Sequence, residues 1–97
     1  MKTIIISEKI WKWPGDMGWH FVTLPREYYD LIRKEYPKGM VHIITTINEV
    51  SWNTALFPHV KSKSFILPIK KSVRKELNIW EGEKVKIKIV VVNKNTT

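Results

Sequence analysis

Five tryptophans in 97 residues are the first feature of this chain that could do chemistry. Large aromatic side chains at the mouth of a small barrel can stack on planar ligands or on bases. Candidate ligand-binding residues are Trp13, Trp19, Trp52 and Arg74, where the three tryptophans lie on predicted strands or at turn edges. The alternative interpretation is that a small barrel needs bulky residues to fill it. Trp80 follows an apolar helix stripe and is expected in the core.

Basic residues form the second candidate site. The 17 Lys and Arg residues exceed the 9 Asp and Glu residues and give a net charge of +8, a balance that suits polyanion binding. Candidate nucleic-acid-binding residues are Lys61, Lys63, Lys70, Lys71, Arg74 and Lys75. Lys84, Lys86 and Lys88 would add phosphate contacts if they share one side. The alternative is a solvated helix face that serves solubility, with Arg74 bonded to a carboxylate or to strand-end carbonyls.

Motifs for catalysis or metal binding do not occur in the sequence. There is no cysteine, which excludes disulfides, thiol chemistry and zinc fingers. His20, His42 and His59 are the only histidines and lack the short spacing of a metal site. The chain contains no nucleophile elbow, P-loop or glycine-rich dinucleotide motif. We therefore expect a protein that is not an enzyme and needs no metal or cofactor.

The first half of the chain predicts two strands, a helix and a third strand. Residues 3–13 alternate, but neither side is cleanly apolar, which suggests a phase change at a bulge. A turn over 14–18 and a strand over 19–24 follow. Pro25 then begins a helix that Pro37 ends. Its apolar stripe consists of Tyr28, Leu31, Ile32 and Tyr36. Residues 41–47 alternate again and form the third predicted strand.

The second half predicts the same sequence of elements. Asn48 and Glu49 occupy a two-residue hairpin turn before a strand over 50–57. A loop over 58–63 leads to a short strand and to a helix opened by Pro68. Asn78 is suited to a left-handed helix cap, and Gly82 to a tight turn. The helix stripe consists of Ile69, Val73 and Leu77. Residues 84–91 form the last predicted strand, and 93–97 a frayed tail.

Proline and glycine recur at matching positions in the two halves. Pro25 and Pro68 each follow a leucine and stand 43 residues apart, as do Gly39 and Gly82. This spacing predicts a single domain over residues 1–92, with repeat halves over about 3–47 and 50–92. Each half contains strand, strand, helix and strand, which predicts a mainly β fold: a closed six-stranded barrel with two short helices. The alternative is coincidence, since Leu-Pro is common before helices.

Two family resemblances accompany this pattern. Residues 67–85, with a proline-started helix, a Gly-acid turn and a final strand, resemble the AbrB-like swapped-hairpin barrels. Over residues 3–91, the segments 18–25, 41–52, 55–58 and 64–89 are similar to those of the Domain of Unknown Function 1905 (DUF1905) family. The resemblance implies a small closed β-barrel related to the double-psi and swapped-hairpin barrels. It implies no activity.

Two functions fit these observations. The first is a non-enzymatic binding module that holds a small ligand or a protein partner at an aromatic-lined barrel mouth. The second is an AbrB-like protein that binds nucleic acid through its basic helix. The apolar run at residues 4–6 is too short for a signal peptide or a membrane span. We therefore expect a cytoplasmic monomer or small homo-oligomer that does not bind membranes.

Overall fold

Seven strands and two α-helices make up the part of the chain described by the computed structural model, residues 3–92, together with a 3-10 helix at Val60–Ser62. The bounds are β1 Thr3–Lys9, β2 Trp11–Lys12, β3 His20–Thr23, α1 Arg26–Glu35, β4 Val41–Ile47, β5 Val50–His59, β6 Ser64–Pro68, α2 Lys71–Leu77 and β7 Lys84–Val91. The fold is mainly β, as predicted. The expected frayed tail at 93–97 lies outside the described residues.

The strands form one antiparallel sheet in the order β1-β7-β4-β5-β6-β3-β2. The sheet curls into an open half-barrel, so the prediction of a closed six-stranded barrel is wrong. The predicted barrel and the observed sheet differ in the N-terminal segment, which supplies both end strands of the sheet. β1 pairs with β7 over seven residues, whereas β2 pairs with β3 over only two. The sequence pattern showed the alternation of this segment but not its change of partner.

Ile10 marks the point where the N-terminal segment changes partner. Its N–H donates to the Glu83 carbonyl at 2.9 Å, and its own carbonyl accepts from the Gly82 N–H at 2.8 Å. Ile4, Ile6 and Ile10 are all buried, so the alternation continues without the expected phase change. The inward side therefore stays constant while the hydrogen-bonding partner switches.

The main core fills the concave side of the sheet. In β7, Val85, Ile87, Ile89 and Val91 point inward while the lysines between them are exposed, as the alternation predicted. β4 has the same pattern. Ile32 of α1 and Val73 of α2 pack into this core. Trp52 of β5 is also there, with only 8 % of its side chain exposed.

Turn and cap residues agree with the sequence pattern at several points. Asn48 has φ 54° in the turn between β4 and β5, which confirms the predicted hairpin. Asn78 has φ 56° and ψ 48° and caps α2, with its N–H donating to the carbonyls of Arg74 and Lys75. Gly82 has φ 91°. These residue types tolerate the left-handed conformation that the chain reversals require.

Three further local predictions are wrong. Trp80 is 57 % exposed, because Ile79 takes the buried position at the end of α2. The predicted loop over 58–63 is partly strand, since β5 continues to His59. The pairing of β5 with β4 ends at Leu56. Pro58 has no backbone N–H to donate, and it lies beyond this pairing, so it interrupts no hydrogen bond between β5 and β4. The stripe residue Ile69 is buried but precedes α2.

Candidate functional site

Aromatic side chains cover the convex side of β2, β3 and β6. Phe21 lies opposite Trp11 of β2 and opposite Pro68 of β6. Directly opposed residues in antiparallel strands point to the same side of the sheet. Val22 and its partner Leu67 point into the main core and are fully buried. The sheet is therefore apolar on both sides at this end.

Four rings form what we call the aromatic cluster, namely Trp11, Trp13, Trp19 and Phe21. The Phe21 ring centroid lies 5.2 Å from that of Trp11, 5.8 Å from Trp13 and 6.2 Å from Trp19. The centroids of Trp11 and Trp13 are 5.7 Å apart. These distances are typical of favourable aromatic pairs. Phe21 is only 5 % exposed although it is not part of the main core, because the tryptophans surround it from outside.

Backbone and side-chain contacts both hold the tryptophans of the cluster in place. The Trp13 N–H donates to the Trp19 carbonyl at 2.8 Å and closes the loop between them. Gly15 and Gly18 supply positive φ angles of 125° and 71° inside that loop. The indole N–H of Trp11 donates to the Thr23 hydroxyl at 2.8 Å, which fixes the ring that the other tryptophans contact.

An open pocket of about 440 Å³ lies beside the cluster. It is lined by Trp13, Met17, Trp19, Phe21, Phe57, Ile66 and Pro68. Met17 is 77 % exposed, Trp19 57 % and Trp13 44 %. None of the described residues that line it carries a charge. Its volume falls within the range of small-molecule sites, and its walls suit flat apolar groups.

A second pocket of about 200 Å³ adjoins the first and shares Met17, Trp19, Phe21 and Pro68 with it. Polar groups come from His20, Lys71 and Arg74. Arg74 donates through Nε to the Ile69 carbonyl at 3.1 Å, a bond to the backbone just after a strand end, as in the structural alternative for this residue. His20 Nδ1 lies 2.6 Å from the Gly18 carbonyl. The pair of pockets therefore joins an apolar wall to a basic edge.

The structure brings together three of the four predicted ligand-binding residues. Trp13 and Trp19 line the larger pocket, and Arg74 lies in the adjoining one. Trp52 does not join them, because its position on β5 points into the main core. The sequence interpretation missed the other five residues of the pocket wall. These residues are Met17, Phe21, Phe57, Ile66 and Pro68. Their convergence depends on the β3-β6-β5 register, which alternation alone does not reveal.

The predicted basic residues divide into two groups. Lys70 is the N-cap of α2, and Lys71, Arg74 and Lys75 lie on that helix, where the three lysines are exposed. Lys61 belongs to the 3-10 helix, and Lys63 is its C-cap with φ 52°. Both are exposed. α2 therefore presents a basic face, while the other two lysines lie at the connection between β5 and β6.

The described residues contain neither a metal-binding cluster nor a membrane-spanning helix. Between residues 3 and 92, no group of three or more His, Asp or Glu side chains could hold a metal ion. No helix of that part of the chain is long and apolar enough to span a membrane. The aromatic and basic surfaces are therefore the features from which a function can be argued.

The fold and the site define a small, mainly β protein whose open half-barrel exposes an aromatic cluster on its convex side. Residues 7–89 match the family described as "Domain of unknown function (DUF1905)". The match covers most of the chain, so the protein belongs to the DUF1905 family, and the resemblance to that family seen in the sequence is confirmed. No curated protein matches the sequence.

Proposed function

We propose that this protein is a non-enzymatic binding module. Its pocket of about 440 Å³ beside the aromatic cluster holds a small ligand or a side chain of a protein partner. The observation that carries the proposal is the exposure of Trp13, Met17 and Trp19 around a pocket whose described wall residues are all uncharged. An exposed cluster of large apolar side chains is a common mark of an interaction site. The tryptophans rest on the buried ring of Phe21, so the surface is formed before a ligand arrives.

The chemistry of the pocket favours a flat apolar group. Stacking on a tryptophan contributes about 0.5–1.5 kcal/mol beyond the burial of area. Covering about 100 Å² of apolar surface contributes about 2.5 kcal/mol more. Lys71 and Arg74 lie at the edge of the adjoining pocket, where they would attract a negative charge. The best ligand is therefore a planar apolar molecule with an anionic end.

A fluorescence titration tests this proposal. The protein is screened against planar aromatic carboxylates, with tryptophan emission and thermal stability as the two readouts. Trp19→Ala should weaken binding of a hit by about tenfold, because it removes a stacking wall. Trp80→Ala is the matched control, since Trp80 is also 57 % exposed but does not line the pocket. Equal losses in the two variants, or no hit in the library, would contradict the proposal.

Nucleic-acid binding through α2 is the second candidate function. The favouring observation is that Lys70, Lys71 and Lys75 are all exposed on one short helix. Such lysines can neutralise phosphates and release counterions. Charge reversal of the three lysines in K70E/K71E/K75E should weaken binding of a labelled oligonucleotide if α2 is the contact surface, and unchanged affinity would exclude α2.

A further inference from the structure

Four lysines gather on the convex side of β1 and β7. Lys9 lies directly opposite Lys84 in the register of the two strands. Lys86 and Lys88 follow at every second residue of β7 and are exposed on the same side. We call Lys9, Lys84, Lys86 and Lys88 the lysine face. It is separate from the basic face of α2, because it belongs to the sheet itself.

No acidic side chain shares this side of β1, β7 and β4 within the described strands. The side chains that surround the lysines are neutral or histidine, namely Thr3, Ile5, Ser7, His42, Ile44, Thr46 and Val90. Glu8 pairs with Val85 in the opposite, inward row, and it is the acidic residue among those that line the groove at the Lys9 end of the lysine face. Like charges placed directly across two strands are mildly destabilising. The charges of the Lys9–Lys84 pair therefore do not stabilise the fold, while the lysine face concentrates positive potential on one surface.

The lysine face continues into the aromatic cluster. Lys9 and Trp11 lie two residues apart on the same side of the N-terminal segment. A groove of about 410 Å³ connects them. It is lined by Ser7, Glu8, Lys9, Trp11, Thr23 and Lys84. Trp11 in turn contacts Trp13 and Phe21. One convex surface thus carries a row of positive charges that leads to exposed indole rings.

We propose that this surface binds single-stranded nucleic acid. The phosphates lie along the lysine face, and an unpaired base stacks on the exposed ring of Trp13. A basic track beside aromatic side chains is the arrangement by which proteins hold single strands without sequence preference. A duplex would use the lysines but leave the tryptophans unused, since its bases are already stacked. The stacking half of the inference rests on the proposed function of the aromatic pocket.

Fluorescence anisotropy of a labelled oligothymidine of about twelve nucleotides, within the usual site size, gives the first measurement. The expected log–log salt slope is about −0.7 for each phosphate contacted. Four lysine contacts predict a loss of affinity of about 50-fold between about 50 and 200 mM salt. A duplex of the same length should bind more weakly than the single strand.

Two triple variants locate the contact surface. K84E/K86E/K88E reverses three charges on the lysine face, and K70E/K71E/K75E reverses three on α2. Each lowers the formal net charge of +8 by six, so a general effect of charge is the same in both. The first variant should lose at least about tenfold in affinity and have a shallower salt slope, while the second should lose much less. Trp13→Ala should lose about tenfold, as expected for one stacked base.

Several outcomes would overturn the inference. They are equal losses in the two triple variants, no binding by the wild type at the lower salt, and binding to phosphatidylserine vesicles but not to the oligonucleotide. If K84E/K86E/K88E fails to fold, the glutamine variants K84Q/K86Q/K88Q and K70Q/K71Q/K75Q replace the pair; both make the same charge change, and the first should again lose more affinity than the second. If the lysine variants have no effect while Trp19→Ala still weakens binding of an aromatic carboxylate, the inference fails and the proposed function stands.

Discussion

The aromatic cluster and the lysine face lie on the same convex surface, yet they relate to the sheet in opposite ways. In the cluster, Phe21 is 5 % exposed and is contacted by three tryptophans, so the outer side has a small apolar layer of its own. On the lysine face, Lys9 and Lys84 oppose each other in the open. Strand alternation is common to both regions. The residue types that alternate decide whether the outer side packs or repels.

This contrast matters for binding. Tryptophans held by ring contacts and by the Trp11–Thr23 hydrogen bond lose little freedom when a ligand stacks on them. Lysines on long stems remain mobile and attract a charged partner from a distance. The aromatic cluster is therefore suited to hold a flat group in one place, and the lysine face to guide a polyanion towards it.

Among the changes that distinguish the aromatic cluster from the lysine face, truncation of Phe21 should have the largest effect on the free energy of unfolding. Phe21→Ala removes the ring on which three tryptophans rest, and its loss should lower the free energy of unfolding by about 3 kcal/mol. Phe57→Ala should cost only about 1 kcal/mol, because Phe57 lines the same pocket but is 40 % exposed. Urea unfolding followed by circular dichroism measures both. Equal costs would show that the aromatic cluster is not a packed layer.

Local sequence signals predicted much of the fold. The strand at 41–47, the hairpin at Asn48, the left-handed cap at Asn78 and the alternation of β7 agree with the structure. Each depends on neighbours within a few residues, through periodicity or through a backbone conformation that few residue types tolerate. Such local signals do not depend on which other strands or helices the element packs against.

Long-range relations were not predictable in this way. Trp52 was assigned to the wrong surroundings because alternation names two sides of a strand but not which side meets the core, and Trp80 because Ile79 takes the buried position after α2. The two roles of the N-terminal segment depend on two different partner strands. Trp13 and Trp19 line the larger pocket, and their role in ligand binding stays a prediction, whereas Phe21 was missed because its companions come from β2 and β6.

The hydrogen bond at the junction of the two regions should have an intermediate effect. Thr23→Val removes the acceptor of the Trp11 indole N–H and should cost about 1 kcal/mol, since this pair is partly buried. Thr46→Val is the matched control, because the Thr46 hydroxyl pairs with that of Ser51 in an exposed position at 2.7 Å. Water can replace that bond, so the control should change the free energy of unfolding very little. A reversed order of the two costs would contradict this account of the aromatic cluster.

Repulsion within the lysine face should give the smallest effect and one of opposite sign. Lys9→Glu places a negative charge directly across from Lys84, so it should raise the free energy of unfolding by about 0.5 kcal/mol at low salt. At about 1 M salt the gain should vanish, because the screening length falls to about 3 Å. Lys12→Glu makes the same charge change on β2, opposite His20, and should have a smaller effect. A gain that persists at high salt would mean that like-charge repulsion is not what distinguishes the lysine face from the aromatic cluster.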